Sequence, residues 1–333
     1  MRILAIRLSA YGDIAVSFPA LVALRKFFPQ ARIDFLLARR YRAIAPLIPE
    51  VSRVHLWDYP AGRRGPVTFF GSLPQTMGLI PRLLCRYLLV VDLQNNARSR
   101  LLSALILPRR VVRASRDPRT NAIRRYLSAL DELGGNFPLG ELIPVSPPPE
   151  PLAEARELLE GAGLAGRGPL VGLNPACKVA SKLWPLDRFG ELARRIIGEL
   201  DARIVLTGDR EERPRAEEIA RHLPPDRVLI TSGELPLPVS AALISLLDLF
   251  VTLDSGLMHL AWVYGVPTVG IFGPTDPRWC GIPKEVRGVN LGGPSQACEG
   301  CRLRLTPHGE HTCIREVSVE EVFSACLSLA QHR

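Results

Sequence analysis

The chain has 333 residues, of which 47% are hydrophobic and 23% are charged, and a formal net charge of +9. This length exceeds the usual size of a single core and predicts two domains. The composition is that of an ordinary globular protein, which excludes a disordered or low-complexity chain. Arg7 interrupts the apolar start, so the pattern does not fit a secretory signal peptide, and we expect a cytoplasmic protein.

The positive charge lies in the first half of the chain. Residues 1–150 contain 22 Lys/Arg and 10 Asp/Glu, a net charge of +12, whereas residues 151–333 contain 20 and 23, a net charge of −3. Such a surface attracts an acidic partner: nucleic acid, an anionic membrane surface, or a phosphorylated or carboxylated substrate.

Strand and helix patterns alternate through the first half. The predicted strands are Ile3–Leu8, Ile33–Leu37, Val54–Trp57, Leu88–Leu93 and Arg110–Ala114. The predicted helices are Val16–Phe28, Ile44–Ile48, Pro74–Tyr87, Ala97–Ile106 and Asn121–Gly134. This order is typical of a parallel, doubly wound α/β sheet.

A segment with five prolines, IPVSPPPEP at 143–151, predicts a linker, and the alternation then begins again. The second set of strands is Leu170–Asn174, Arg203–Thr207, Arg227–Thr231, Leu249–Leu253, Thr268–Phe272 and Arg287–Leu291. The intervening helices are Leu186–Leu200, Arg213–Leu223, Pro238–Leu247 and Leu257–Tyr264. We therefore expect two Rossmann-like domains, 1–145 and 152–333, that face each other across a ligand-binding cleft, with a last helix able to pack back on the first domain.

Asp13, in the segment LSAYGDI after the first strand, has two interpretations. An aspartate here can cap the next helix. It can also face a ligand, because ligands of open α/β sheets bind beyond the carboxyl ends of the strands.

The second half has three polar strand ends. In LDSGLMHLA, Ser255 and Gly256 precede an apolar helix whose first N–H groups suit a pyrophosphate, although a routine helix cap is the alternative. In NPACKVASKLWP, Lys178 and Lys182 can neutralise a leaving diphosphate or simply be solvated. In LTGDREER, Glu211 or Glu212 can bind a ribose or merely occupy the first turn of a helix.

No dinucleotide fingerprint, P-loop or nucleophile elbow occurs at a strand-to-helix junction, which argues against dehydrogenases, P-loop ATPases and α/β-hydrolases. Instead, LSAYGD, NPACKVASKLWP, LTGDREE, LDSGLMHLA and FGPTDP, in this order, resemble glycosyltransferase family nine, the ADP-heptose:lipopolysaccharide heptosyltransferases. The resemblance implies a GT-B fold and an inverting transfer of heptose from ADP-heptose to the Kdo–lipid A inner core. It implies no cofactor and no metal in catalysis.

The resemblance also implies residue roles. Asp13 is the general base that accepts the proton of the incoming hydroxyl, on the face opposite the departing diphosphate. Lys182 is the second catalytic residue, in contact with the donor phosphate and sugar. The other implied donor-binding residues are Lys178, Ser181, Glu212 at the ribose, Leu235 near the adenine, Asp254, Ser255, Gly256 and His259, and the implied acceptor contacts are Ser9, Gly12 and Arg98.

The cysteines of ACEGCRLRLTPHGEHTC form a separate group. Cys298, Cys301 and Cys313, with His308 and His311 nearby, offer ligands for a structural zinc or iron. Ordinary packing of these cysteines is the alternative. The segment also resembles the iron-binding cysteine cluster of the related autotransporter heptosyltransferases.

Three functional hypotheses remain. The first is a lipopolysaccharide heptosyltransferase that acts on an anionic lipid A/Kdo acceptor, peripherally at the inner face of the cytoplasmic membrane. The second is a family-nine transferase with a protein acceptor. The third is a non-catalytic nucleotide-sugar-binding protein or a nucleic-acid-binding protein; the absence of any nucleic-acid motif argues against the latter, and we expect no nucleic-acid partner.

Overall fold

The computed structural model describes residues 1–58, 73–164, 166, 168–294 and 312–331. The chain divides into two compact units, Met1–Val145 and Ser146–Arg333. The division falls inside the proline-rich segment, since Pro cannot donate to a helix or sheet ladder and holds the backbone extended. Each unit contains a parallel sheet with its own core.

Five described strands form the sheet of the first unit, in the order β3-β2-β1-β4-β5. They are β1 (Arg2–Ile6), β2 (Arg32–Ala38), β3 (Arg53–Trp57), β4 (Leu89–Asp92) and β5 (Arg110–Arg113). The helices are α1 (Tyr11–Val16), α2 (Phe18–Phe27), α3 (Leu73–Leu83), α4 (Ala97–Leu105) and α5 (Ala122–Asp131), with 3-10 turns at Arg39–Leu47 and Leu139–Glu141. Strands β1 and β4 are buried almost throughout, as expected of parallel strands that are covered on both faces.

Six described strands form the second sheet, in the order β11-β10-β9-β6-β7-β8. They are β6 (Leu170–Asn174), β7 (Arg203–Leu206), β8 (Val228–Ile230), β9 (Leu249–Leu253), β10 (Thr268–Phe272) and β11 (Gly288–Gly292). The helices are α6 (Pro149–Gly161), α7 (Leu186–Leu200), α8 (Arg213–Ala220), α9 (Leu237–Ser245), α10 (Gly256–Val263), α11 (Pro277–Cys280), α12 (Thr312–Glu316) and α13 (Val319–Gln331), with 3-10 turns at Ala180–Lys182 and Pro225–Arg227.

The last helix, α13, packs within the second unit. Val322 and Phe323 belong to the core of that unit. The guanidinium of Arg195, on α7, lies 4.0 Å from the centre of the Phe323 ring. The apolar face of α13 is therefore used inside its own unit.

Both sheets have a point at which the strand order reverses. It lies between β1 and β4 in the first unit and between β6 and β9 in the second. Connections leave these neighbouring strands toward opposite faces, which opens a crevice beyond their carboxyl ends where open α/β sheets bind ligands. These two edges hold most of the candidate residues.

Two predicted helices of the first unit differ from the structure, and α6 of the second unit begins inside the segment predicted as a linker. The helix expected at Val16–Phe28 begins at Tyr11 and is divided at Ser17, because Pro19 cannot donate the backbone hydrogen bond that would continue α1. Ala10 is the N-cap residue, and Asp13 contributes to the cap from the third position of the helix, where its carboxylate accepts the Ala10 N–H. The segment predicted as a helix at Ile44–Ile48 is a 3-10 turn that already starts at Arg39.

None of the helices in the described ranges is long and apolar enough to cross a membrane.

Candidate active site

The strand ends of β6 and β9 hold a hydrogen-bonded polar group. Asn174 ends β6 and pairs in register with Thr252 of β9. Its Nδ2 donates to Ser255 Oγ at 3.0 Å and to Thr252 Oγ1 at 3.3 Å. Ser255 Oγ in turn accepts the N–H of Met258 and caps α10. The start of α10, with Gly256 as its first residue, is thus fixed at the edge of the sheet, where helix N–H groups favour an anion.

Lys182 and Asp254 form a close ion pair beside this helix. Lys182 ends the 3-10 turn after β6, and its Nζ donates to Asp254 Oδ2. The side chains are only 22% and 9% exposed, respectively. Burial alone would lower the pKa of Lys182, but the charge and hydrogen bond of Asp254 outweigh it and raise that pKa. The lysine therefore stays charged at neutral pH.

Glu212 lies just before α8, in the segment that follows β7, the strand next to β6. Its Oε2 accepts the N–H of Asp209 at 2.9 Å, and burial raises the pKa of its carboxyl. A Cβ on Gly208 would lie 3.0 Å from that same oxygen, a close contact that would displace the Glu212 carboxylate by a few tenths of an ångström. Glu212 is the N-cap residue of α8, so its interpretation as a residue of the first helical turn was wrong.

The remaining residues proposed for donor binding lie at the same edge but differ in their environment. Lys178 is 77% exposed, with its Nζ 3.3 Å from Asp209 Oδ2. Ser181 is buried, and its Oγ has no hydrogen-bond partner among the described atoms. His259 is buried on α10, where its Nδ1 accepts from Trp262 Nε1 at 3.2 Å. Leu235 is half-buried after β8.

Asp13, in the first unit, lies in the first turn of α1. One carboxylate oxygen, Oδ2, accepts the N–H of Ala10 at 3.3 Å. The other, Oδ1, lies 2.8 Å from a guanidinium nitrogen of Arg7 and accepts the Tyr126 hydroxyl at 3.1 Å. The side chain is still 43% exposed, so the carboxylate is fixed in position and open to a substrate.

Arg7 and Tyr126, which hold Asp13, were missed by the sequence analysis. Arg7 is buried, donates to the carbonyl of Leu93 at 3.1 Å, and has its guanidinium carbon 5.0 Å from the centre of the Tyr126 ring. Burial alone would lower the pKa of Arg7, but Tyr126 and Asp13 outweigh it and raise that pKa. Burial raises the pKa of Tyr126, so its hydroxyl remains a donor. Arg7 could have been recognised in the sequence, because it is a charged residue within the apolar run of the first predicted strand.

The residues proposed for acceptor binding follow β1 and β4. Ser9 follows β1, Gly12 lies in α1, and Arg98 lies on α4 after β4. Because β1 and β4 are neighbours, all three lie at the same edge of the sheet as Asp13.

Of the proposed metal ligands, Cys298 and Cys301 lie outside the described residues. Cys313 is buried in α12. The part of the chain that the structure describes contains no group of three or more His, Cys, Asp or Glu side chains suited to a metal ion.

Comparisons with known proteins give the family. The model of glycosyltransferase family 9 (heptosyltransferase) matches residues 86–309. Lipooligosaccharide heptosyltransferase 2 of Haemophilus influenzae is 26% identical over 303 residues, which cover 84% of this chain and 85% of that protein. Lipopolysaccharide heptosyltransferase 2 of Salmonella typhimurium is 25% identical, and the alignment covers 99% of this chain and 98% of that protein.

Solved structures share the fold. A family 9 glycosyltransferase from Veillonella parvula superposes with a TM-score of 0.81 at 21% identity and covers 100% of this chain and 98% of that chain. ADP-heptose lipopolysaccharide heptosyltransferase II of Escherichia coli gives a TM-score of 0.73 at 21% identity, with 99% of each chain covered. These neighbours, together with the two parallel-sheet units, confirm the predicted GT-B fold. The chain therefore belongs to glycosyltransferase family 9, the heptosyltransferase family, and is a glycosyltransferase.

Proposed function

We propose that this protein is an inverting, metal-independent heptosyltransferase that transfers heptose from ADP-heptose to the inner core of lipopolysaccharide. The observation that carries the proposal is the Lys182–Asp254 ion pair beside the capped start of α10. The half-buried ammonium of Lys182 and a helix N-terminus at one sheet edge provide the positive potential that a nucleoside diphosphate requires.

In the donor complex, the diphosphate binds at the N–H groups of Ser255–Gly256 and at Lys182. As the bond between the sugar and the diphosphate breaks, negative charge grows on the phosphate oxygens, and Lys182 stabilises that charge. The half-buried carboxylate of Glu212 accepts hydrogen bonds from the ribose hydroxyls. In this scheme the protein itself supplies the charge that a divalent metal supplies in other transferases.

Asp13 is the proposed general base. The acceptor hydroxyl attacks the anomeric carbon of the heptose, the proton moves to the Asp13 carboxylate, and ADP departs from the opposite face, which inverts the anomeric centre. Arg7 and Tyr126 are positioning residues that keep the carboxylate oriented and leave part of it exposed. The proposed acceptor is the anionic Kdo–lipid A, which the excess of positive charge in residues 1–150 attracts at the inner face of the cytoplasmic membrane.

Substitutions at Asp13 and Lys182 separate base catalysis from donor binding. Loss of a general base lowers the rate by about 10²- to 10⁴-fold, so Asp13→Asn should show this loss at saturating donor and retain its ADP affinity in calorimetry. Lys182→Ala should weaken ADP binding as well as turnover. Asp117→Asn, at an exposed aspartate of the same unit, is the matched control and should have the wild-type rate. Transfer at the wild-type rate by Asp13→Asn would refute the proposed base.

A panel of nucleotide sugars and acceptors tests the substrates. We expect a mass increase of one heptose on a truncated Kdo–lipid A acceptor with ADP-heptose, unchanged by EDTA, and the opposite anomeric configuration in the product by NMR. Transfer only to a polypeptide would support the second candidate, a family 9 enzyme with a protein acceptor. The cysteine pattern Cys298, Cys301 and Cys313 favours that candidate, because it resembles the cysteine cluster of the autotransporter heptosyltransferases. The iron-containing dodecameric glycosyltransferase TibC of E. coli shares the fold, with a TM-score of 0.54 at 16% identity.

The structural metal stays a separate prediction. We propose that Cys298, Cys301 and Cys313 bind zinc or iron. Elemental analysis of protein purified without added metal should then find about one ion per chain, and Cys313→Ser should lose it. A metal-free, folded wild-type protein would contradict this prediction.

A further inference from the structure

A basic pocket of about 490 Å³ lies along β3, the edge strand of the first sheet. Four arginines and one histidine line it: Arg39, Arg53, His55, Arg82 and Arg86. The other described lining residues, Val54 and Leu56, are apolar, so the described part of the wall contains no carboxylate. None of these residues was assigned to the donor, the acceptor or the base.

The charge of this pocket is largely uncompensated. Arg39 lies 3.4 Å from Asp58, but both side chains are more than half exposed, and such pairs are weak. Within the described ranges, Arg53, Arg82 and Arg86 form no ion pair. At least three guanidinium groups therefore share one pocket, and no anion among the residues that the structure describes offsets their repulsion.

The buried carboxylate behind the pocket is already neutralised. Asp34 is fully buried, with Arg2 and Arg32 nitrogens 3.5 and 3.4 Å from its oxygens. It also accepts the Tyr87 hydroxyl at 2.8 Å and lies 3.4 Å from His55 Nε2. These contacts fix the His55 wall of the pocket and leave Asp34 little capacity to compensate the pocket arginines.

No single secondary-structure element explains why these arginines lie together. Arg82 lies in the last turn of α3, where a helix favours cations, and Arg86 lies three residues beyond that helix. Arg39 and Arg53 come from a 3-10 turn and a strand. Convergence of arginines from three elements costs free energy through repulsion, and an oxyanion removes that cost. Guanidinium groups bind phosphate through paired, charge-assisted hydrogen bonds.

We propose that the pocket formed by Arg39, Arg53, His55, Arg82 and Arg86 binds a phosphate-type oxyanion. The pocket volume accommodates a phosphate together with a sugar-sized body. The phosphate belongs either to a soluble compound or to a lipid headgroup, and the site is independent of the function proposed for Asp13 and Lys182.

Calorimetry with inorganic pyrophosphate at low ionic strength tests the site. The double variant Arg53→Gln/Arg86→Gln should bind at least tenfold more weakly than the wild type. The control Arg109→Gln/Arg116→Gln removes the same charge from exposed arginines elsewhere in the unit and should bind within twofold of the wild type. Saturating ADP in both solutions occupies the proposed donor site at Lys182, so that the heat of pyrophosphate binding reports the pocket. Equal loss in both variants, or equal retention, would overturn the proposal.

Two further measurements complete the test. Without pyrophosphate, the pocket variant should melt at or above the wild-type temperature because repulsion has been removed, and a lower Tm would contradict the uncompensated charge. Co-sedimentation with phosphatidylglycerol vesicles, against phosphatidylcholine vesicles, then identifies the source. Selective loss of vesicle binding in the pocket variant indicates a lipid headgroup, whereas loss of pyrophosphate binding alone indicates a soluble phosphate.

Discussion

The ion pair between Lys182 and Asp254 gives a prediction that can be worked out from its burial. Loss of one partner of a buried pair typically costs about 3–5 kcal/mol, because the other charge is left without compensation. Lys182 retains 22% exposure and Asp254 only 9%, so water can compensate the lysine better than the aspartate. We therefore expect Asp254→Asn to cost about 2 kcal/mol and Lys182→Met to cost about 3 kcal/mol.

The double variant should be more stable than the two single losses imply. With both charges removed, neither is left buried and unpaired, and we expect a total cost of about 2–3 kcal/mol. The coupling free energy between Lys182 and Asp254 should then be about 2–3 kcal/mol, well above the error of a double-mutant cycle.

Urea unfolding followed by tryptophan fluorescence measures this cycle. Trp184 and Trp262 are fully buried in the second unit and report its unfolding. The m-values of all four proteins should agree, so that differences in midpoint report stability. Additive losses, with a coupling below about 0.5 kcal/mol, would show that the two charges are independently solvated and would refute the reasoning.

Bound ADP distinguishes a structural pair from a site that receives a diphosphate. In the proposed function, the diphosphate provides a second anion for Lys182, so Asp254→Asn should bind ADP at least as tightly as the wild type. At one hundred times its dissociation constant, ADP should then return about 2.7 kcal/mol to this variant. Loss of ADP binding in Asp254→Asn as large as in Lys182→Met would contradict this role of Lys182.

Two further predictions follow from shifted pKa values. Burial raises the pKa of Glu212, so as the pH falls its carboxylate takes up a proton at a pH above the ordinary glutamate value of about 4.3. The ADP affinity of the wild type, measured by calorimetry, should therefore fall as the pH is lowered through the raised pKa. Glu212→Gln should lack this pH-dependent part of the ADP affinity. Burial alone would raise the pKa of Asp34, but hydrogen bonds from Tyr87 and His55 lower it, so its stabilisation is present above about pH 4 and lost as pH falls through the lowered value. Asp34→Asn should cost about 1–3 kcal/mol at pH 7 in urea unfolding, a difference that shrinks at pH 3; a constant difference would contradict it.

The sequence by itself determined the strands and their parallel arrangement. Runs such as Leu249–Leu253 are apolar at four of five positions and buried at all five, which is typical of strands covered on both faces, and turn residues mark where each run ends. Ser255–Gly256 was identified for the same reason, since a cap followed by an apolar helix is a local pattern. Local patterns also misplaced the start of α1, because neither Tyr11 nor Gly12 is a strong signal for a helix.

Only the tertiary structure decided which polar groups meet. Tyr126 reaches Asp13 across 113 positions and Lys182 reaches Asp254 across 72, because the order of the strands brings distant strand ends together. Periodicity along the chain reports which face of an element is buried but not which element lies beside it. For that reason the arginines along β3 appear in the sequence only as excess charge, whereas in the folded first unit they line one pocket.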